Sequence, residues 1–244
     1  MHNNIFRIIT LSRVFIKEQF QEPIALFWIM ASPCAVFYMI LFSKNDPLIF
    51  EKNYIDTAAW FFAYVASSVA LFGFSFYIIG RRESGFIRSF IYTTTSKRIF
   101  FISHFLAYST ISLTYCCVFY FSTRPLFGSY DVTELYALIA RFYLCYLLFC
   151  IPGLLLTLAP LNFQSAHTTL SITSFTMLGL GLIGSVRSEQ WITDLNKFNP
   201  ITIATSIMLD EPTLSLDLYI ISTFCISIII CNIFFRTNPV WNRY

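Results

Sequence analysis

Charge is what this sequence has least of. Among its 244 residues are 16 Lys and Arg and 13 Asp and Glu, 12% in all. A soluble domain carries roughly 25%, so a water-facing surface cannot be built from this supply. Histidine is scarcer still: His2, His104 and His167 are scattered along the chain. The seven cysteines, Cys34, Cys116, Cys117, Cys145, Cys150, Cys225 and Cys231, all fall in apolar runs and never form CxxC. They read as small hydrophobes, not as disulfides or metal ligands. No Ser/His/Asp set and no paired carboxylates lie within the apolar runs, so no catalytic constellation is expected. An ion-coupled carrier wants an acid near the bilayer midplane, and none is there. That carrier and an intramembrane enzyme are therefore disfavoured. No nucleic-acid partner is expected.

What is present is apolar. Hydrophobic residues make up 57% of the chain, with 28 Phe and 14 Tyr, and the mean hydropathy is +0.66. The lipid bilayer is the partner such a composition requires, and an all-α polytopic membrane protein follows. A bilayer asks for roughly 20 apolar residues per helix. Six runs meet this, at about 24–43, 57–80, 99–122, 135–159, 163–185 and 217–235. Pro152 and Gly153 predict a kink in the fourth. The first 22 residues hold Arg7, Arg13, Lys17, Glu18 and Glu22 and no unbroken apolar stretch, so no signal peptide is expected.

The basic residues are unevenly spread. With the N-terminus inside, ten Lys and Arg fall on the inner side, five on the outer side, and Arg141 within the fourth run near its outer end. Ten of the 13 acids fall outside. This predicts both termini in the cytoplasm. Trp28, Trp60, Trp191 and Trp241 all sit near predicted interfaces, where amphipathic rings belong.

Three segments do not span. Residues 1–22 predict a basic amphipathic helix in the inner membrane surface, apolar along Ile5, Phe6, Ile8, Ile9, Leu11, Phe15, Ile16 and Phe20. Val14 and Gln19 break its pattern. A plain membrane anchor is the simpler alternative. Residues 81–98, "RRESGFIRSFIYTTTSKR", form the longest and most basic inner loop. There Phe86, Ile87, Phe90 and Ile91 would make one apolar stripe on a short helix, flanked by Arg82, Glu83 and Arg88. Ser96 is placed to cap the third span. An ordinary basic loop that only sets topology is the alternative. Residues 186–216 predict a pair of outer or re-entrant helices, too apolar for a free loop and too interrupted to span.

Two nucleotide motifs are decoys. "MLDEPTLSLD", residues 208–217, imitates the acidic pair of an ATPase, with Asp210 and Glu211. A phosphate cradle is missing: Gly80 and Gly85 have P-loop spacing, but Phe86 and Ile87 stand where Lys and Ser/Thr must be. The acidic pair reads instead as the end of an outer helix, with Pro212 turning into the sixth span and Asp217 at its mouth. "GLGLIG", residues 179–184, matches GxGxxG but lies inside an apolar helix. Close helix packing explains it better.

Six spans, an amphipathic N-terminal helix, the inner "RRESGFIRSF" and the outer "FNPITIA" together resemble the ABC-2-type permeases, the membrane subunits of ABC exporters. The resemblance covers essentially the whole chain. Glu83–Gly85 looks like the family's Glu-x-Gly, and Asn199–Pro200 like its Asn-Pro. The resemblance implies a non-catalytic subunit in a bacterial inner membrane, with no cofactor in this chain. A separate ABC ATPase would bind ATP and magnesium and hydrolyse the ATP. A second permease copy would complete a homodimer.

A coupling helix at about 83–94 would dock in the ATPase through Phe86, Ile87, Phe90 and Ile91. Arg82, Glu83 and Arg88 would set its register, and Gly85 would let the chain turn. Spans two and five would line part of the path, and residues 187–212 would cap its exit. The short chain, without a large outer domain, looks closest to exporters of drugs or of bacteriocin and microcin peptides, including microcin-B-type systems that confer self-immunity. A stand-alone membrane immunity or sensor protein without transport is the alternative from a different class.

Overall fold

The computed structural model describes residues 2–43, 53–186, 190–210 and 214–240. Lys44, Lys52, Arg187, Glu211, Pro212 and Trp241, and the side chains of Trp28 and Phe90, lie outside this description. The described residues are helical almost throughout. Helix α1 is His2–Gln21 and α2 is Pro23–Ser43. Helix α3 (Tyr54–Ser68), a π-helical segment (Val69–Ser75) and α4 (Phe76–Glu83) form one continuous rod. Then come α5 (Phe86–Phe90), α6 (Thr94–Thr123), α7 (Val132–Leu158) and α8 (Phe163–Val186). Two short helices, α9 (Gln190–Lys197) and α10 (Pro200–Leu209), precede α11 (Leu214–Phe234).

Among the described residues, five helical stretches are long and apolar enough to cross a membrane: Tyr54–Glu83, Thr94–Leu126, Val132–Leu158, Phe163–Gly184 and Leu214–Phe234. The chain is a multi-pass, all-α membrane protein. Helix α2 coincides with the first expected span, but its described apolar stretch, Ile29–Ser43, is shorter than a crossing requires. Helix α7 runs through Pro152 as one helix to Leu158.

Caps explain where the expected boundaries shift. Asp131 accepts the Thr133 N–H at 2.8 Å and starts α7 at Val132, ahead of the expected 135. Thr93, not Ser96, caps α6: its Oγ accepts the Ser96 N–H at 3.1 Å, so the helix begins at Thr94. Between α6 and α7, Glu134 gathers Arg124 at 2.7 Å and the Tyr120 hydroxyl at 3.2 Å. Tyr54 pairs with Thr123 at 2.8 Å beside them. These bonds pin the end of the bundle remote from the chain termini, called here the far end.

The core is aromatic. Phe37, Phe61, Phe62, Phe119 and Phe142 meet edge to face with centroids 4.8–6.3 Å apart, the arrangement that ring quadrupoles favour. Helix α1 packs along α6. Ser12 donates to the Ser103 carbonyl at 3.0 Å, and Phe15 meets Phe100 edge-on at 5.8 Å. Of the two residues that break the pattern of α1, Gln19 is buried and accepts the Tyr108 hydroxyl at 2.7 Å, whereas Val14 is exposed. The amide is buried because it has a partner. Ile5, Phe6, Ile9 and Phe20 remain exposed, as do Arg7, Arg13 and Lys17. One helix thus carries a packed face, an uncovered apolar arc and a basic arc.

Candidate functional site

The terminal end of the bundle is organised by two consecutive arginines. Arg82 is 1% exposed and points into the protein. Its guanidinium donates to the carbonyls of Thr157 at 2.8 Å, Ala159 at 3.2 Å and Leu161 at 2.6 Å. These carbonyls line the tight α7–α8 turn, where the backbone has left helical pairing and needs donors. Its Nε also reaches Glu83 at 3.0 Å. The Glu83 carboxylate in turn accepts the Val240 N–H at 3.1 and 3.3 Å. Arg82 and Glu83 therefore join the end of α4, the α7–α8 turn and the C-terminal segment. This corrects the expectation that Arg82 stands at a docking surface. A fork of donors beside three free carbonyls is more stable turned inward.

The helix in the segment where a coupling helix is expected, at about 83–94, is shorter than that range. Gly85 takes φ +77°, a left-handed conformation that costs little only for glycine, and no neighbour lies within 4 Å of a Cβ placed there. The conformation itself selects glycine here. Helix α5 then runs for five residues, Phe86–Phe90, and Ile91 is already extended. Ile87 and Ile91 are buried, so the expected four-residue docking stripe is divided. Arg88 and Tyr92 are exposed, Tyr92 at 81%. Phe86 is half-buried, and the Arg81 guanidinium lies 4.4 Å from its ring centroid.

Arg81 belongs to a polar cluster that the sequence did not reveal. It pairs with Glu18 of α1 and bonds the Tyr77 hydroxyl, which also donates to Glu18. It lies over the Tyr77 ring at 4.8 Å and the Phe15 ring at 5.7 Å, both within cation–π reach. Burial raises the Glu18 carboxyl, but the hydrogen bonds from Arg81 and Tyr77 and the Arg81 charge outweigh it, leaving its pKa below 4.5. A depressed folded pKa gives a contribution that is present above the ordinary carboxylate value and lost as pH falls through the folded one. The grip of α1 on α4 is therefore full at neutral pH and loosens only in acid, below the ordinary carboxylate range. Glu18→Gln should abolish that acid sensitivity. Hydrogen exchange along α1 in detergent between pH 7 and pH 3.5 checks it.

Above this cluster the rod carries its π segment. A π turn adds a residue and frees carbonyls, and such segments frequently mark functional sites. Two side chains take up the freed carbonyls. Ser75 Oγ donates to the Ala70 carbonyl at 2.9 Å, and His104 Nε2 lies 2.9 Å from the Phe74 carbonyl. The His104 ring is fully buried, stacks on Phe74 at 5.1 Å and on Tyr77 at 5.4 Å, and its Nδ1 has no hydrogen-bond partner. Donation from Nε2 to the carbonyl fixes the neutral tautomer. Gly73 and Gly153 make room. A Cβ on Gly73 would stand 2.7 Å from the Tyr108 ring, and one on Gly153 would press on Ser75.

The π segment borders a cleft of about 730 Å³. Its walls come from α1 and α2, from the rod, from α6 through Tyr108 and from α8. Aromatic groups (Tyr64, Phe72, Phe76, Phe163) alternate with neutral polar ones (Gln19, Ser32, Ser68, Ser174). Glu22 and Arg81 supply charge at the terminal end, and His167 sits on the α8 wall. The rod and α8 face each other across this volume. The set offers stacking and neutral hydrogen bonds. Among the described residues no cluster of three or more His, Cys, Asp and Glu is placed to hold a metal.

At the far end, Asn199 caps α10 by accepting the Ile201 N–H at 3.2 Å, with Pro200 following at the first helical position. Its Nδ2 donates to the Met177 carbonyl of α8 at 2.8 Å. Gly181 and Gly184 of "GLGLIG" admit this contact. A Cβ would stand 2.7 Å from Ile201 Cγ2 at the first and 2.7 Å from Asn196 Cγ at the second. The glycines serve close packing, as expected. Helix α10 is itself buried through Ile201, Ala204, Ile207 and Met208 and packs on α3 and α7. Arg141 donates to the Met208 and Leu209 carbonyls at 3.0 and 3.3 Å and so caps its C-terminus. Asp210 is the C-cap residue of α10, whereas Glu211 is outside the described residues.

No family model matches the chain. A curated relative does: Protein McbE of Escherichia coli is 29% identical over 239 residues, which span 94% of this chain and 96% of that protein. A match of that extent cannot come from one shared segment. The chain is a homologue of Protein McbE along essentially the whole length of both.

Proposed function

We propose that the chain is the permease subunit of an ATP-driven exporter of the ABC-2 type. The observation that carries this reading is the continuous connection between α5 and the cleft. The chain turns at Gly85, passes the Arg82–Glu83 knot, and enters the rod whose Tyr77, Phe76 and Gly73 line the cleft. A push on α5 reaches the cleft through packed helix and ion pairs, without a flexible link. The full-length likeness to Protein McbE and the exporter-like order of elements support the same reading. The chain hydrolyses nothing itself.

In this reading six helices cross a bacterial inner membrane, α2 being the first. Both termini are cytoplasmic, which puts α5 where ATP is. Helix α1 lies in the inner membrane surface, its uncovered apolar arc toward lipid and its basic arc toward headgroups. A separate ATPase docks on the terminal end, where Arg88 and Tyr92 are exposed. Arg82, Ile87 and Ile91 act from beneath, as the internal support of that surface. Two copies form a homodimer with their clefts toward each other. Support comes from α8 and α11, whose apolar stretches are each only 22% buried in the single chain, against 78% for the rod. The aromatic, neutral-polar lining suits an antimicrobial peptide or a drug-sized amphiphile.

The test is co-purification in mild detergent. A cassette ATPase should accompany the tagged chain, and Tyr92→Asp should reduce its recovery at least tenfold while membrane insertion is unchanged. A chain that purifies alone, with no cassette ATPase encoded beside it, would favour the stand-alone immunity protein instead.

A further inference from the structure

The segment after α11 is neither helix nor loose tail. Phe235 is buried at 4% exposure and meets Phe101 edge-on at 5.1 Å. Lys97, at the start of α6, donates to the Phe235 carbonyl at 3.1 Å and so caps α11. Five residues later the Val240 N–H reaches the Glu83 carboxylate. The chain between is non-helical, with bends at Asn238 and Val240, and exposure alternates along it. Phe235, Thr237 and Pro239 are buried or half-buried, and Arg236, Asn238 and Val240 are exposed. That is the period of a strand lying on a surface. It is a strap fixed at both ends, crossing the terminal end beside α5 and α6.

We propose that this strap, residues 235–240, is a second strip of the ATPase-docking surface and takes an acidic patch of the ATPase. The inference rests on the permease reading. Charge points to the partner's chemistry. Arg236 of the strap, Arg88 of α5 and Arg98 of α6 are exposed, and no ion pair is formed by any of them within the described residues. Two of the acids at this end are already engaged, Glu83 with Arg82 and Val240 and Glu18 with Arg81, while Glu22 lines the cleft. The face is therefore cationic and carries the ring of Tyr92. Opposed charge across an interface steers association and fixes register. Glu83 has a distinct part here. Its carboxylate binds the strap to the joint at Gly85, so that α5 and the strap move as one body.

Two substitutions separate docking from scaffolding. Arg236→Glu reverses the exposed charge. Val240→Pro removes the N–H that Glu83 accepts and also fixes φ there, and Val240→Ala retains the N–H. With the permease in nanodiscs and the cassette ATPase encoded beside it as probe, Arg236→Glu should weaken binding at least tenfold and flatten its salt dependence. Val240→Pro should weaken it several-fold, Val240→Ala should match the parent, and thermal stability should be unchanged throughout. If Tyr92→Asp lowers affinity and both strap variants bind like the parent, the strap proposal is overturned and the permease reading stands. If Arg236→Glu lowers retention of phosphatidylglycerol but not ATPase affinity, the strap meets lipid and the proposal is likewise overturned. If no cassette ATPase binds the parent chain, the permease reading itself fails, and the strap proposal falls with it.

Discussion

Arg82→Leu is expected to leave too little folded protein to purify from membranes grown at 37 °C. The Arg82 side chain is buried, and removing it strips donors from the carbonyls of Thr157, Ala159 and Leu161 at once. It also leaves Glu83 facing the Val240 N–H without its cation. Breaking a buried ion pair from one side costs about 3–5 kcal/mol. Total stability is about 5–15 kcal/mol for an ordinary domain, so the loss is a large share. Arg82→Lys should recover only part of it, because an ammonium cannot fork across three acceptors. Yield after detergent extraction and the melting temperature of what survives decide the matter. A Leu variant that melts like the parent would show that the α7–α8 turn does not depend on this fork.

The second large effect is expected at Gly153. A Cβ there would come within 3.1 Å of Ser75 Cβ and closer still to Ser75 Oγ, with the Ala70 carbonyl at 3.6 Å. Two helices are in contact with nothing between them, and one is at its π turn. Overpacking of this kind costs about 1–3 kcal/mol, and Val should exceed Ala. The substitution should also press on the π segment that His104 and Ser75 hold open. If so, Gly153→Ala loses transport beyond its loss of stability. Ser75→Gly should rescue Gly153→Ala, because it removes the atoms that collide. Additive effects of the two changes would mean that the contact is not the cause. Melting temperatures of the two single variants and the double variant complete the cycle.

The hydrophobic pattern carried the architecture because bilayer length and helical rise are matched constraints. Runs at 57–80, 99–122, 135–159, 163–185 and 217–235 all reappear as helices, with their ends moved by caps. Thr93 displaced Ser96 as a cap because a hydroxyl three residues ahead of an N–H captures it before the helix begins. Glycines were legible where packing is the whole reason, as at Gly181 and Gly184, and where φ is, as at Gly85.

Side-chain direction in the 81–98 loop was not legible. Arg81 and Arg82 are adjacent and identical, and only the position of the α7–α8 turn sends one inward and leaves the other beside Glu18. The π segment left no mark in periodicity, since "VALFGFS" is apolar up to its last residue, Ser75. A trace of it existed in His104, an isolated imidazole in an apolar run that needs a buried acceptor. Gln19 gave a similar trace: a polar residue that spoils an amphipathic helix often has a partner in the protein.

The account rests on one claim, that a separate ATPase acts through α5 and the Glu83 joint to change the cleft. Its most direct test is transport in proteoliposomes that contain this chain and the cassette ATPase encoded beside it. The substrate would be a peptide or drug to which cells lacking the gene become sensitive. Movement should require ATP. Glu83→Ala unties the strap from the joint and also strips the buried Arg82 of its carboxylate, so rates are taken per folded transporter: ATP hydrolysis should stay at half or more while transport falls more than tenfold. Transport that persists without ATP, or that Glu83→Ala leaves at the parent rate, would contradict the account.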